Sequence, residues 1–179
     1  MAMTLITTNT ESGDAESVFS SGIDDPYKLY IFKFIDVNPV YNGAKLGVQF
    51  NATDSTSYDE TITSTFFNAF YAEAGDPDYN LTYQTAVDQA EGTAVQWITR
   101  EIGGEADDSG AGTLWLFNPS STTYVKHFYS RIHSYYHADY AIDNFVAGYI
   151  NTTTAIDDVK FTVEGGGNFD AVIKMYGVG

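Results

Sequence analysis

The chain has 179 residues, 44% of them hydrophobic and 16% aromatic, no cysteine, and 24 acidic against 8 basic residues for a net charge of −16. That charge balance repels nucleic acid and anionic membrane surfaces, and the missing thiols exclude disulfides, cysteine-bound zinc and a cysteine nucleophile. The apolar and aromatic content excludes disorder, the length suits one domain with a full core, and the abundance of Tyr, Phe and Thr points to strands.

The first segment, MAMTLITTNTESGD, lacks the basic region and long apolar stretch of a secretory signal. No apolar run reaches the ~18 residues of a membrane helix. The expectation is a protein made in a cytoplasm and starting at this segment. Residues 1–14 read as an N-terminal arm or an edge strand. As an arm, a Thr-rich segment carrying Leu5 and Ile6 can add a strand to a neighbour's sheet. Residues 15–179 are expected to form a single all-β domain: an antiparallel β-sandwich, jelly-roll-like, with at most a short helical insertion. Turn clusters at 10–14, 21–26, 38–43, 54–59, 75–78, 103–112, 118–121, 137–143 and 165–168 separate short β-type runs at sandwich spacing.

The run 27–35 is apolar on both faces, with Leu29, Ile31 and Ile35 pointing one way and Tyr30, Phe32 and Phe34 the other. A sandwich strand needs one apolar face. The second must be covered by the chain's own loops or by another subunit, and Phe32 and Phe34 are candidates for such a contact. The run Leu114-Trp115-Leu116-Phe117 poses the same choice, with Trp115 as the candidate. Residues 45–50 alternate cleanly, and 145–150 read as a strand buried on both sides. The segment 61–74 fits a strand, with Phe66, Phe70 and Ala72 on one side, and fits a helix at i+4 steps as well; the strand is favoured. Within 83–102 the expectation is a loop or short helical turn, then a strand through Trp97. At the C-terminal end, Val159, Phe161 and Val163 alternate with Lys160, Thr162 and Glu164, Gly165-Gly166-Gly167-Asn168 forms a turn, and 169–178 is a closing strand.

Chemistry-bearing residues are sparse. His127, His133 and His137 lie close in sequence, but six residues of strand separate the first two by ~20 Å, and Lys126 and Arg131 oppose a cation. The acidic loops at 54–60 and 105–110 lack the EF-hand ligand spacing. No G-x-S-x-G elbow, P-loop or G-x-G-x-x-G is present. Asn51, Asn80 and Asn151 open sequons that read as ordinary turn and strand-end residues. No cofactor and no enzymatic activity are expected. The Tyr-rich stretch 124–140 stands out instead. Tyr124, Tyr129, Tyr135 and Tyr136, beside the cations Lys126 and Arg131, form a candidate contact surface, because Tyr offers a rigid amphipathic face to proteins and sugars.

An ordered set of motifs runs along the chain: Phe19-Ser20-Ser21-Gly22-Ile23-Asp24; Tyr30-Ile31-Phe32-Lys33-Phe34-Ile35; Asn118-Pro119-Ser120-Ser121-Thr122-Thr123-Tyr124-Val125-Lys126-His127-Phe128; Ala147-Gly148-Tyr149-Ile150-Asn151-Thr152-Thr153; and Gly167-Asn168-Phe169-Asp170 with Ile173-Lys174-Met175-Tyr176-Gly177. The set resembles the small virion structural proteins of tailed bacteriophages, especially those of marine bacteria and cyanobacteria. The resemblance implies a β-sandwich on the outside of a particle and carries over no catalytic residue. The expected function is that of a capsid decoration, or cement, protein. It would be made in the host cytoplasm and placed on the outer surface of the virion head. Its partners would be the major capsid protein and itself as a homotrimer, with no nucleic acid and no membrane. The alternative is a tail or fibre component that adsorbs to host surface glycans.

Overall fold

Period-2 burial runs through most of the long strands and sets the architecture. In the segment Lys126–Tyr136, every second side chain from Lys126 to Ser134 is buried and those between are exposed. The structure, a computed structural model, describes residues 2–24, 26–73 and 78–179. Met1, Asp25 and 74–77 lie outside the described residues, and with them parts of the expected arm, of the turn clusters at 21–26 and 75–78, and the end of the 61–74 segment.

Among the described residues twelve strands follow in chain order: β1 (Met3–Asp14), β2 (Glu16–Phe19), β3 (Leu29–Pro39), β4 (Leu46–Ala52), β5 (Ile62–Ala72), β6 (Tyr79–Tyr83), β7 (Gln96–Trp97), β8 (Gly110–Phe117), β9 (Lys126–Tyr136), β10 (Tyr140–Ile150), β11 (Ile156–Val163) and β12 (Phe169–Val178). They form an eight-stranded sheet, β1-β12-β3-β8-β9-β10-β5-β6, and a four-stranded sheet, β2-β11-β4-β7. All pairings are antiparallel. The block β1-β12-β3-β8 faces β2-β11-β4-β7, and the chain passes back and forth between them. That order is a jelly roll, the double Greek key that buries two inner faces against each other. The remaining four strands are two hairpins, β5–β6 and β9–β10, which widen one sheet beyond the other. Among the described residues no helix is long and apolar enough to cross a membrane.

The core lies between the sheets. Phe161 of the small sheet meets Phe32, Phe34 and Phe19 edge-on at ring-centroid separations of 5.3, 5.0 and 6.1 Å. Phe50 reaches Phe128 across the layer at 5.5 Å. Each such ring removes enough apolar surface from water to stabilise the fold by roughly 1.5–3 kcal/mol. Gly112 is required by close approach, since a Cβ there would stand 2.4 Å from the Arg131 carbonyl oxygen on the neighbouring strand.

Phe32 and Phe34 are therefore core residues and not subunit contacts. Both are buried, because β3 turns its even side chains to the small sheet and leaves Leu29 and Ile31 on the outside. A bulge at Ile35 and Asp36, the latter with φ 52°, shifts the register and returns Val37 to the core. The segment 61–74 gives β5, and Trp97 lies in the two-residue β7. Residues 3–14 are an edge strand paired with β12. The two C-terminal strands do not form a hairpin with each other: β11 belongs to the small sheet and β12 to the large one. The glycine turn, with Gly165 and Gly166 at φ 72° and 67°, carries the chain across the sandwich.

Candidate functional site

The outward face of the large sheet gathers the exposed aromatic side chains into rows. Strand register places Leu5, Tyr176, Ile31, Trp115 and Tyr129 side by side across β1, β12, β3, β8 and β9. At the usual strand spacing this row is about 20 Å wide. Beside it runs a second row of Met3, Val178, Leu29, Phe117, His127 and Tyr149. The Trp115 and Tyr129 rings stack at 4.4 Å, and Phe117 lies 5.5 Å from Tyr129. Farther along, Phe67 and Phe145 stack at 4.9 Å, and Arg131 places its guanidinium carbon 5.0 Å from the Phe145 ring centre. Ala147 and Thr65 are small, so a valley separates the Trp115–Tyr129 ridge from the Phe67–Phe145 ridge. Two shallow cavities of about 410 and 330 Å³ follow it.

Cations concentrate on the same face. Lys174, Lys33 and Arg131 stand in one register row, interrupted by Thr113. Arg131 donates to Asp143 from Nη2 at 2.7 Å and from Nε at 3.1 and 3.2 Å. Lys33 lies 5.5 Å from the Tyr176 ring centre. Three of the eight basic residues of a −16 chain thus share one surface.

The residues expected to make contacts divide between several places. Leu5, Trp115, Tyr129 and Arg131 come together on this face. Ile6 turns inward and packs against the core, on the opposite side of β1 from Leu5. Tyr124 is exposed on the loop before β9, outside the strand register that forms the rows. Tyr135 sits at the end of β9 and donates to Asp139 at 2.8 Å, a bond to a carboxylate that pushes its phenol up to about 12. Tyr136 lines a cavity on the inner side of the same sheet. Lys126 is not a surface cation. It is fully buried, and its ammonium donates to the carbonyl oxygens of Thr152, at 3.1 Å, and Thr154. Burial pulls its pKa down, with Glu60 acting against that pull. Sequence reasoning missed Phe67, Leu81 and Tyr83 on the far strands, and the Lys33–Lys174 pair. Which face Phe67 takes depends on the register of β5 against β10, which spacing along one strand does not reveal.

The histidines and acidic loops do not converge. His127 and His133 are exposed on the outer face of β9, on the rows of Phe117 and Ala111. Among the described residues no group of three or more His, Asp or Glu side chains is placed to hold a metal ion. In the 105–110 loop, Asp108 is buried as a turn-former, its Oδ2 accepting from the Glu105 amide at 3.0 Å and its carbonyl from Asn38 at 2.8 Å.

Comparison with known proteins returns no matching family model, no matching curated protein and no matching solved structure.

Two carboxyls make stability depend on pH. Burial, reinforced by Asp54 and Asp59, raises Glu60, and burial with neighbouring Asp158 raises Asp157. A folded-state pKa above the unfolded one means that the fold holds more protons in and just above the ordinary carboxylate range. Their stabilising contribution is complete below the unfolded pKa and is lost as pH rises through the folded one. Melting followed by circular dichroism should give a higher Tm at about pH 5 than at about pH 8, with a smaller difference in Glu60→Gln. A Tm that falls on acidification over this range would count against the half-buried placement of Glu60.

Proposed function

We propose that the protein is a non-enzymatic structural component of a virus particle, a decoration protein bound to the outside of a phage head. The observation that carries this reading is the aromatic outer face of the large sheet. It combines Trp115, Tyr129 and Arg131, the residue types that anchor protein interfaces, with two apolar rows and a valley between ridges. Soluble monomers rarely leave a contiguous apolar surface of this width uncovered. Copies carrying −16 each repel one another, and the face with Lys33, Lys174 and Arg131 is where that repulsion is weakest. In this reading three copies bury these faces against one another. The open edge of β1 is then left to add to a strand of the major capsid protein. A protein that binds only the assembled shell stabilises that state by mass action. The jelly roll, an architecture of capsid and lectin domains, supports the same reading, as does the resemblance of the ordered motifs to those of tailed-phage virion proteins.

The experiment is the copy number of this chain relative to the major shell protein in purified particles. A simple near-integer ratio is expected, and absence from the particle would overturn the assignment. In solution, Trp115→Asp and Tyr129→Asp should each weaken self-association by roughly 2 kcal/mol or more while leaving a folded monomer. Light scattering that still reports the wild-type oligomer for both variants would move the subunit contact off this face.

A further inference from the structure

We propose that a cavity on the inner side of the large sheet is a binding site for a neutral pyranose sugar. The site is created by the mismatch in sheet width. The hairpins β9–β10 and β5–β6 carry the large sheet past β7, the last strand of the small one. The segment leading into and out of β7 roofs only part of this overhang. What remains is an open cavity of about 420 Å³, within the size range of small-ligand sites.

Its lining combines two chemistries, which meet where Tyr140 reaches Asp78. Phe70, Tyr136 and Tyr140 supply an aromatic wall, with Tyr140 at 5.8 Å from Phe70 and 6.2 Å from Tyr136. Asp78, Arg100 and Glu101 supply charged hydrogen-bonding groups, with Arg100 Nη2 3.5 Å from Glu101 Oε1 so that the pair presents its remaining donors and acceptors to the cavity. A pyranose presents the same division, an apolar C–H face that stacks on a ring and a rim of hydroxyls that donate to carboxylates and accept from a guanidinium.

The polar wall is held in place. The Arg100 amide donates to Asn144 Oδ1 at 2.9 Å, and Ser134 Oγ donates to the Glu101 carbonyl at 2.9 Å. Asn144 and Ser134 are fully buried polar residues on core-facing positions of β10 and β9, where an apolar side chain would otherwise be expected. Tyr140 Oη donates to Asp78 Oδ2 at 2.6 Å, and Gln84 donates to the buried Asn68 at 2.5 Å on the cavity floor. Charge selects among sugars. Two carboxylates against one guanidinium, in a chain of −16, disfavour uronates, sulfates and phosphates, and Arg100 disfavours an amine.

This inference is independent of the docking face, which lies on the opposite side of the sheet. The test is saturation-transfer NMR on the full chain with glucose, galactose, mannose and glucuronate as probes. At least one neutral hexose should give a saturable signal and glucuronate none. Asp78→Asn and Glu101→Gln should each weaken binding by about tenfold or more, while Tyr129→Ala on the outer face leaves it unchanged. Absence of saturable binding by every neutral probe would overturn the proposal. So would binding that both cavity variants retain, or that Tyr129→Ala abolishes. Should a variant lose its fold, as judged by Tm, ring-proton shifts of the wild-type tyrosines decide the question. Shifts at Tyr136 and Tyr140 on sugar addition support the site, and shifts confined to Tyr129 and Tyr149 overturn it.

Discussion

Phe161→Ala should remove a large part of the stability of the whole domain. The ring is fully buried at the centre of the sandwich and touches Phe19 of β2 and Phe32 and Phe34 of β3, so that it is packed from both sheets. Truncation loses the transfer free energy of the ring and leaves a hole that stiff strands on either side cannot close, a combination that costs about 3–5 kcal/mol. Against a total of roughly 5–15 kcal/mol for a domain, that is enough to bring it close to unfolding. Phe161→Leu keeps most of the volume and should cost roughly 1.5 kcal/mol or less. Urea titrations should show lowered midpoints with unchanged slope. A loss of under about 1 kcal/mol for the alanine variant is incompatible with two sheets packed through this ring.

Lys126→Met should be nearly as damaging, although it replaces a charge with an apolar side chain of similar length. The ammonium satisfies the carbonyls of Thr152 and Thr154 in the connection that takes the chain from β10 in the large sheet to β11 in the small one. Methionine fills the space but cannot donate, and each stranded carbonyl costs roughly 1–3 kcal/mol. The same connection is tied to its surroundings by the Thr53 amide on the Ala155 carbonyl at 2.9 Å and by Thr154 Oγ1 on Asp54 at 3.1 Å. Hydrogen exchange should therefore quicken first at Thr53, Thr154 and Ile156. Uniform quickening throughout the domain, or none, would mean that the lysine does not hold this connection.

The jelly roll was largely legible because its signal is local. Alternation in 45–50 and 159–163 assigns each of these strands its buried face without knowledge of its neighbours. The glycines at 165–167 mark a turn whatever that turn connects. Two things were not legible for the same physical reason. Lys126 looks like a surface cation because the carbonyls that accept its protons lie 26 and 28 residues away. Phe32 and Phe34 were candidates for a contact because a run apolar on both faces does not say which face meets the second sheet. On the contact surface, Trp115 and Tyr129 could be singled out from composition. Their placement in one row with Leu5 and Tyr176 required the pairing of β1 with β12. The cavity under the overhang left a fainter trace, the polar Asn68, Ser134 and Asn144 at even positions of otherwise apolar faces.

The pairing pattern sets a timetable. Met3 lies opposite Val178, Ser17 opposite Phe161, and Ile62 opposite Ile150. Each early strand therefore waits for a late one, and the β5–β6 hairpin has no sheet to join until β9–β10 has docked on β8. A chain emerging from the ribosome at ~5–20 residues per second would carry unpaired strand edges for much of its synthesis. Closure then depends on non-local contacts of the kind that form in milliseconds to seconds. Assembly of the sandwich is thus a late event that the last strand completes, and shortened chains lacking β12 should be recovered as aggregates and not as smaller folded domains.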